Sequence, residues 1–203
     1  MSTPSELDAA DPLAPFREQF YLPKGIYLCG NSLGPMPRRA QTYVEAEMKA
    51  WREFGVDAHF TDCEGGAGQW ARVDEPCLAL AQELVGASAQ HEVALCNSLS
   101  VNMHLLLCWY YKPTAQRYKL ILEDNAFCSD QHIFASQARY HGLDPEEALI
   151  RLKPREGEEY LRTEDILAVI AEAGDSLAMV CLPGVQFYTG QFFQIDTITK
   201  AAH

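Results

Sequence analysis

The sequence lacks most of the signals that announce a particular chemistry. It holds no Cys-x-x-Cys pair, and its seven cysteines (Cys29, Cys63, Cys77, Cys96, Cys108, Cys128, Cys181) are scattered and odd in number. That pattern argues against a structural zinc site or any other metal centre. With no secretory leader in view, it describes the reduced thiols of a cytoplasmic protein. Met1 to Pro15 carries neither a basic stretch nor an apolar core, so no targeting segment is read there. The longest purely apolar run, Leu105 to Tyr111, is far short of the roughly 20 residues a membrane helix needs. Positive charge is scarce: 16 Lys and Arg face 28 Asp and Glu, a net charge of −12, and such a surface repels nucleic acid. Repeats and low-complexity tracts are absent. What remains is 203 residues, 48% hydrophobic and 22% charged, which suits a soluble domain with a substantial core.

Residues 1–24 read as a Pro-rich, acidic N-terminal arm. Gly25-Ile26-Tyr27-Leu28-Cys29 is expected to form a short strand and Gly30 to Pro35 a turn. Pro37 opens a helix whose apolar positions Ala40, Tyr43, Val44, Met48 and Trp51 keep helical spacing. A second helix is expected from Arg72 to Val85, with Gly86 as its stop. From Val93 onward, apolar runs alternate with helical patterns. Strands are expected at Val93–Cys96, Tyr118–Leu122, Leu149–Leu152 and Leu177–Leu182. Helices are expected at Leu99–Tyr111 and Asp130–Tyr140, from a Thr163 cap through Ala173, and after Asp196. Such alternation predicts an α/β fold with a mostly parallel sheet and flanking helices. Ligands of these sheets sit at the carboxyl ends of the strands. The chain stops inside its last helix, so the sheet is read as part of a larger one, truncated before its second half.

Two loops could carry a ligand. Asn97-Ser98-Leu99-Ser100-Val101-Asn102 opens a helix, and the unpaired amides of a helix start suit a phosphate, although Ser and Asn there are equally ordinary caps. Phe127-Cys128-Ser129-Asp130 offers a ring to stack on a flat cofactor and a carboxylate to bond it; Ser129 and Asp130 are also plain helix caps. Cys128 does not begin a Cys-x5-Arg phosphatase loop, because position 134 is Phe134, so an inert thiol is the simpler reading. Gly66-Ala67-Gly68-Gln69-Trp70-Ala71 satisfies G-x-G-x-x-A but follows no buried strand, which rejects a dinucleotide site. The histidines show no metal-binding spacing. Pro183 to Gln191 is a Gly/Pro turn with aromatics at a strand end, where it could line a pocket.

Taken in order, five blocks resemble kynureninases, pyridoxal-phosphate enzymes of the aspartate-aminotransferase-like fold (fold type I). They are Tyr27 to Gly34, Leu99 to Leu106, Phe127 to Asp130, Ile150 to Glu158 and Gly184 to Gln191. The resemblance implies that Leu99 and Ser100 lie at the phosphate end of pyridoxal 5'-phosphate and that Phe127 stacks on its ring. Cys128, Ser129 and Asp130 would complete that loop, with Cys128 standing where the family often has Pro. Pro183 replaces a cofactor-contacting Ser of some relatives, and His59 lies near a substrate-pocket His. It also implies domains divided at residue 60: 1–60 as the arm and helix of a small domain, and 61–203 as the first half of the cofactor-binding large domain. The implied reaction is hydrolysis of L-kynurenine or 3-hydroxykynurenine to an anthranilate and L-alanine, by a homodimer when full length. None of Lys24, Lys49, Lys112, Lys119, Lys153 and Lys200 stands in the context of the family's Schiff-base Lys, and the Asp that pairs with the pyridine nitrogen is expected on a strand after the last helix read here. No catalytic residue is therefore assigned to this chain. The alternative readings are an inactive product that binds full-length subunits and a generic α/β ligand-binding module.

Overall fold

The computed structural model describes residues 3–203, and these form two compact units, the first ending at Leu95 and the second Cys96–His203. This division concerns compactness.

In the first unit, part of the expected arm is helical. Helix α1 (Pro4–Ala10) starts with a reciprocal cap: Thr3 Oγ1 accepts from the Glu6 amide, and the Glu6 carboxylate accepts from the Thr3 amide at 2.8 Å. The strand expected at Gly25–Cys29 does not form. Ile26 and Leu28 are 91% and 84% exposed, and with no neighbouring strand the segment has nothing to pair with. The pairing falls instead between β1 (Phe20–Tyr21) and β2 (Met36–Pro37), antiparallel. Helix α2 (Arg38–Phe54) begins directly after Pro37, as its sequence predicts. Its buried position is Ala50, packed with Ala58 and Cys63, while Tyr43, Val44, Met48 and Trp51 stay exposed. Glu47 ties the following glycine loop to α2, accepting from the Trp70 indole at 2.6 Å and from the Ala67 amide. Helix α3 (Glu75–Val85) ends at Gly86, whose φ of 68° is the left-handed conformation that made Gly the expected stop.

The second unit is a three-layer α/β/α arrangement. Its elements in chain order are α4 (Leu99–Tyr110), β3 (Lys119–Glu123), α5 (Cys128–Tyr140), α6 (Pro145–Ala148), β4 (Leu149–Leu152), α7 (Thr163–Ala173), β5 (Leu177–Val180) and α8 (Ile195–Ala202). The sheet order is β4-β3-β5 and both pairings are parallel, with Ile121 opposite Ile150 and Val180. Alternation along β3 builds two cores. Leu120 and Leu122 pack with Leu107, Ile133 and Phe134 under α4 and α5, whereas Ile121 packs with Ile166, Ile170, Phe193 and Ile198 under α7 and α8. Each such buried side chain contributes roughly 1.5–3 kcal/mol.

Three local expectations are corrected here. Val93–Cys96 forms no strand: the segment pairs with nothing, and Leu95 is 44% exposed. Thr163 does not cap α7 but is its first residue; Arg162 occupies the cap position without a side-chain bond, and the acidic first turn is held by Arg155 on Asp165 at 2.8 Å. Finally, β5 ends at Val180, although the Cys181 amide still donates to the Ile121 carbonyl at 2.9 Å.

Candidate functional site

Because β3, β4 and β5 are parallel, their carboxyl ends face one side, and the loops 124–127, 153–162 and 181–194 leave from it. Helix α5 starts there directly after the β3 loop. Helix α4 reaches the same end by another route, since no strand precedes it. Gln137 Nε2 lies 3.0 Å from His104 Nδ1 and 3.7 Å from Cys108 Sγ, and the His141 ring meets Tyr111 edge-on at 5.3 Å. From His104 and Cys108 opposite Gln137 to Tyr111 opposite His141 the numbers rise together, so the helices run in the same direction. Carrying the 29–33-residue offset of the two Gln137 contacts back along α4 places Ser100 level with positions 129–133 of α5. The two helix starts singled out in the sequence are therefore side by side.

Neither start is closed by a side chain. Ser98, in extended conformation, holds the cap position of α4 and Phe127 that of α5, each without a capping bond. The ordinary cap reading of Ser98 is thus not realised. The first amides of both helices remain donors at the positive end of a helix dipole. Ser129 Oγ donates to Asp130 Oδ1 at 3.1 Å instead of capping the backbone.

Phe127 is half exposed, and its ring is met edge-on by Phe187 at 5.1 Å, at an interplanar angle of 81°. Phe187 belongs to the hairpin that follows Pro183, closed by the Gln186 amide on the Gln191 carbonyl at 2.8 Å and by the Val185–Phe192 bridge. Three acidic or thiol groups at the ends of β3 and β5 and the start of α5 influence one another. Glu123 ends β3 and is only 5% exposed; burial pushes its carboxyl above the usual range, and the charge of Asp130 pushes it the same way. Burial and Asp130 also raise the Cys181 thiol, which keeps it protonated and unreactive. Asp130 is thus a negative charge close to both.

Leu99, Ser100, Phe127, Cys128, Ser129, Asp130 and Pro183 all belong to this one end of the second unit. Cys128 is exposed as the first residue of α5. His59 belongs to the first unit, where its Nδ1 lies 2.9 Å from the Val56 carbonyl and its ring meets Trp70 edge-on at 5.5 Å. Lys200 lies elsewhere: α8 runs back to a groove lined by Arg117 and His203, and Arg117 precedes β3. Lys153 is the lysine at the strand ends, 3.8 Å from Asp124. Sequence reading passed over Glu123 and Gln186. An acidic residue closing the run Leu120-Ile121-Leu122 was a usable signal for the first; nothing local marked the second.

The arrangement offers free helix-start amides for an anion, an aromatic face for a flat ring and a carboxylate beside it. Among the described residues no helix is long and apolar enough to cross a membrane, and no three His, Cys, Asp or Glu side chains gather as metal ligands. No family model matches the chain. Individual proteins do. It is 46% identical over 204 residues to a kynureninase of Myxococcus xanthus, covering 98% of this chain and 47% of that one. Kynureninases of Homo sapiens (45% identity, 96% and 44% covered) and Saccharomyces cerevisiae (47% identity, 87% and 40% covered) are similar. The chain spans about half the length of these curated relatives. Along the stretch they share, the chain is a homologue of the kynureninases.

Proposed function

We propose that this chain supplies the phosphate seat and ring-stacking face of a pyridoxal-phosphate-dependent kynureninase of fold type I. Residues 1–60 would belong to its small domain and 61–203 to the first half of its large domain. The observation that carries this reading is the pairing of two open helix starts with the half-exposed Phe127 at the carboxyl ends of a parallel sheet. The free amides at Leu99 and Ser100 would receive the phosphate, with the Ser100 hydroxyl beside them. Phe127 would stack on the cofactor ring, and Asp130 would offer it a carboxylate. When bound, the cofactor withdraws electrons from the substrate Cα. The substrate would be L-kynurenine or 3-hydroxykynurenine, the products an anthranilate and L-alanine, and the setting a cytoplasmic homodimer.

Pro183 brings no side-chain donor, so its part is to turn the chain out of β5 toward the hairpin. His59 is kept as a substrate contact on sequence position alone. The Cys181 thiol, raised by burial, is given no part in the chemistry. A second reading, an inactive partner of full-length subunits, is favoured by the bare apolar face of α4, where Leu105, Leu106 and Trp109 are exposed.

The test is a chimaera in which this chain replaces the matched stretch of the Myxococcus xanthus kynureninase. Release of fluorescent anthranilate from kynurenine, with cofactor loss on Phe127→Ala, supports the proposal. A folded chimaera that holds the cofactor equally well without the Phe127 ring overturns it.

A further inference from the structure

We propose that Gln186 is a positioning residue whose side chain locks Phe187 against Phe127 and so fixes the aromatic face at this site. Gln186 is 4% exposed, yet its neighbours in the hairpin are open to solvent, Phe187 at 50% and Tyr188 at 86%. A buried amide inside so exposed a turn has to be satisfied there, and its bonds tie together two separate stretches of chain, the hairpin tip and the loop after β3. Oε1 accepts from the Tyr188 amide at 2.5 Å, the Thr189 amide at 2.7 Å and the Thr189 hydroxyl at 3.3 Å. Nε2 donates to the Asn125 carbonyl at 3.1 Å. The first three bonds curl the hairpin tip around Gln186. The fourth reaches 61 residues back to the β3–α5 loop, two residues before Phe127.

Phe187 and Phe127 are therefore attached to the two ends of one side chain. Neither ring is buried enough to be held by packing alone, and their edge-to-face contact at 5.1 Å needs both backbones in place. The chemistry calls for an amide at this position. Three donors converge on Oε1 and a carbonyl faces Nε2, so a carboxylate would keep the tip bonds but lose the bond to Asn125. It would also set a second negative charge close to Glu123, whose charged form the Gln186 amide favours against the burial that opposes it.

The meaning of this lock for catalysis rests on the reading that Phe127 covers a cofactor ring; the lock itself does not. Fluorine NMR of the full 203-residue chain labelled with 4-fluorophenylalanine separates the two. Phe127 and Phe187 signals are assigned from Phe127→Leu and Phe187→Leu. In Gln186→Glu the Phe127 signal is expected to move to the position it takes in Phe187→Leu, while the unfolding transition stays cooperative. An unmoved Phe127 signal in a folded Gln186→Glu protein overturns the proposal. Amide exchange of the unmodified chain needs no variant: the Tyr188 and Thr189 amides should be protected despite the exposure of the turn, and free exchange at both would equally refute the lock. Pyridoxal-phosphate retention by the chimaera, with and without Gln186→Glu, is read separately. Loss of retention in the variant supports the link to the cofactor. A moved Phe127 signal with unchanged retention keeps the lock and refutes that link.

Discussion

Replacing Asp130 by Asn removes one negative charge from the start of α5 while keeping the side chain's shape. In the structure that carboxylate accepts from Ser129 Oγ at 3.1 Å, sits in the first turn of α5 and raises both Glu123 and Cys181. Two effects on stability oppose each other. Losing a carboxylate from a helix N-terminus costs about 0.3–1 kcal/mol, and relieving its repulsion with Glu123 acts in the opposite direction. The folded state should therefore change by less than about 1 kcal/mol, the range of ordinary surface changes. Cofactor retention is different. A hydrogen bond to a charged group is worth about 1.5–3 kcal/mol, and 1.4 kcal/mol is a factor of ten, so retention should weaken roughly 10- to 150-fold. The assay is equilibrium dialysis of pyridoxal phosphate against the chimaera, with thermal unfolding followed in parallel. Unchanged retention in a folded Asp130→Asn protein would reduce Asp130 to a helix-start charge and refute the reasoning.

Glu123→Gln should stabilise the fold at neutral pH. The buried Glu123 carboxyl is raised, so the folded state holds its proton longer than the unfolded state. The penalty is absent below the unfolded value of about 4.3 and grows as pH rises through the folded one; melting curves of the two proteins should converge near pH 4, and a gap that widens toward acid would reverse the sign. Leu120→Ala, at a fully buried position in the α4–α5 core, should cost about 2–5 kcal/mol in denaturant unfolding. The apolar faces of α2 and α4, with Trp51 63% and Trp109 73% exposed, should make the isolated chain bind a hydrophobic dye and self-associate, and Trp109→Glu should reduce both; a monodisperse wild-type chain in sedimentation would count against exposed apolar surface. The isolated chain should not turn over kynurenine with saturating cofactor. Borohydride trapping followed by mass spectrometry should label no lysine stoichiometrically, and single-site labelling with multiple turnovers would contradict this, with Lys153 at the strand ends as the first residue to change.

Much of the second unit was legible residue by residue. The runs at Lys119–Glu123 and Leu149–Leu152, the helix from Leu99 and the break at Pro113 follow from local pattern, because these segments bury apolar side chains in the cores on the two faces of the sheet. The first unit was less legible. Val93–Cys96 and Gly25–Cys29 have strand composition but no strand to pair with, and pairing is a property of the neighbour. The site divides the same way. Sequence alone marked the helix start at Leu99, a second helix beginning near Asp130 and the ring of Phe127, since these depend on short stretches of chain; that the second helix begins at Cys128, and that neither start is capped by a side chain, came from the structure. Only the tertiary structure decided that α4 and α5 run in the same direction, and that Glu123 and Asp130 influence each other. It alone brought Gln186 across 61 residues to the Asn125 carbonyl. Those facts depend on groups far apart in the chain meeting where water is excluded, and no local pattern records which residue a buried amide will face.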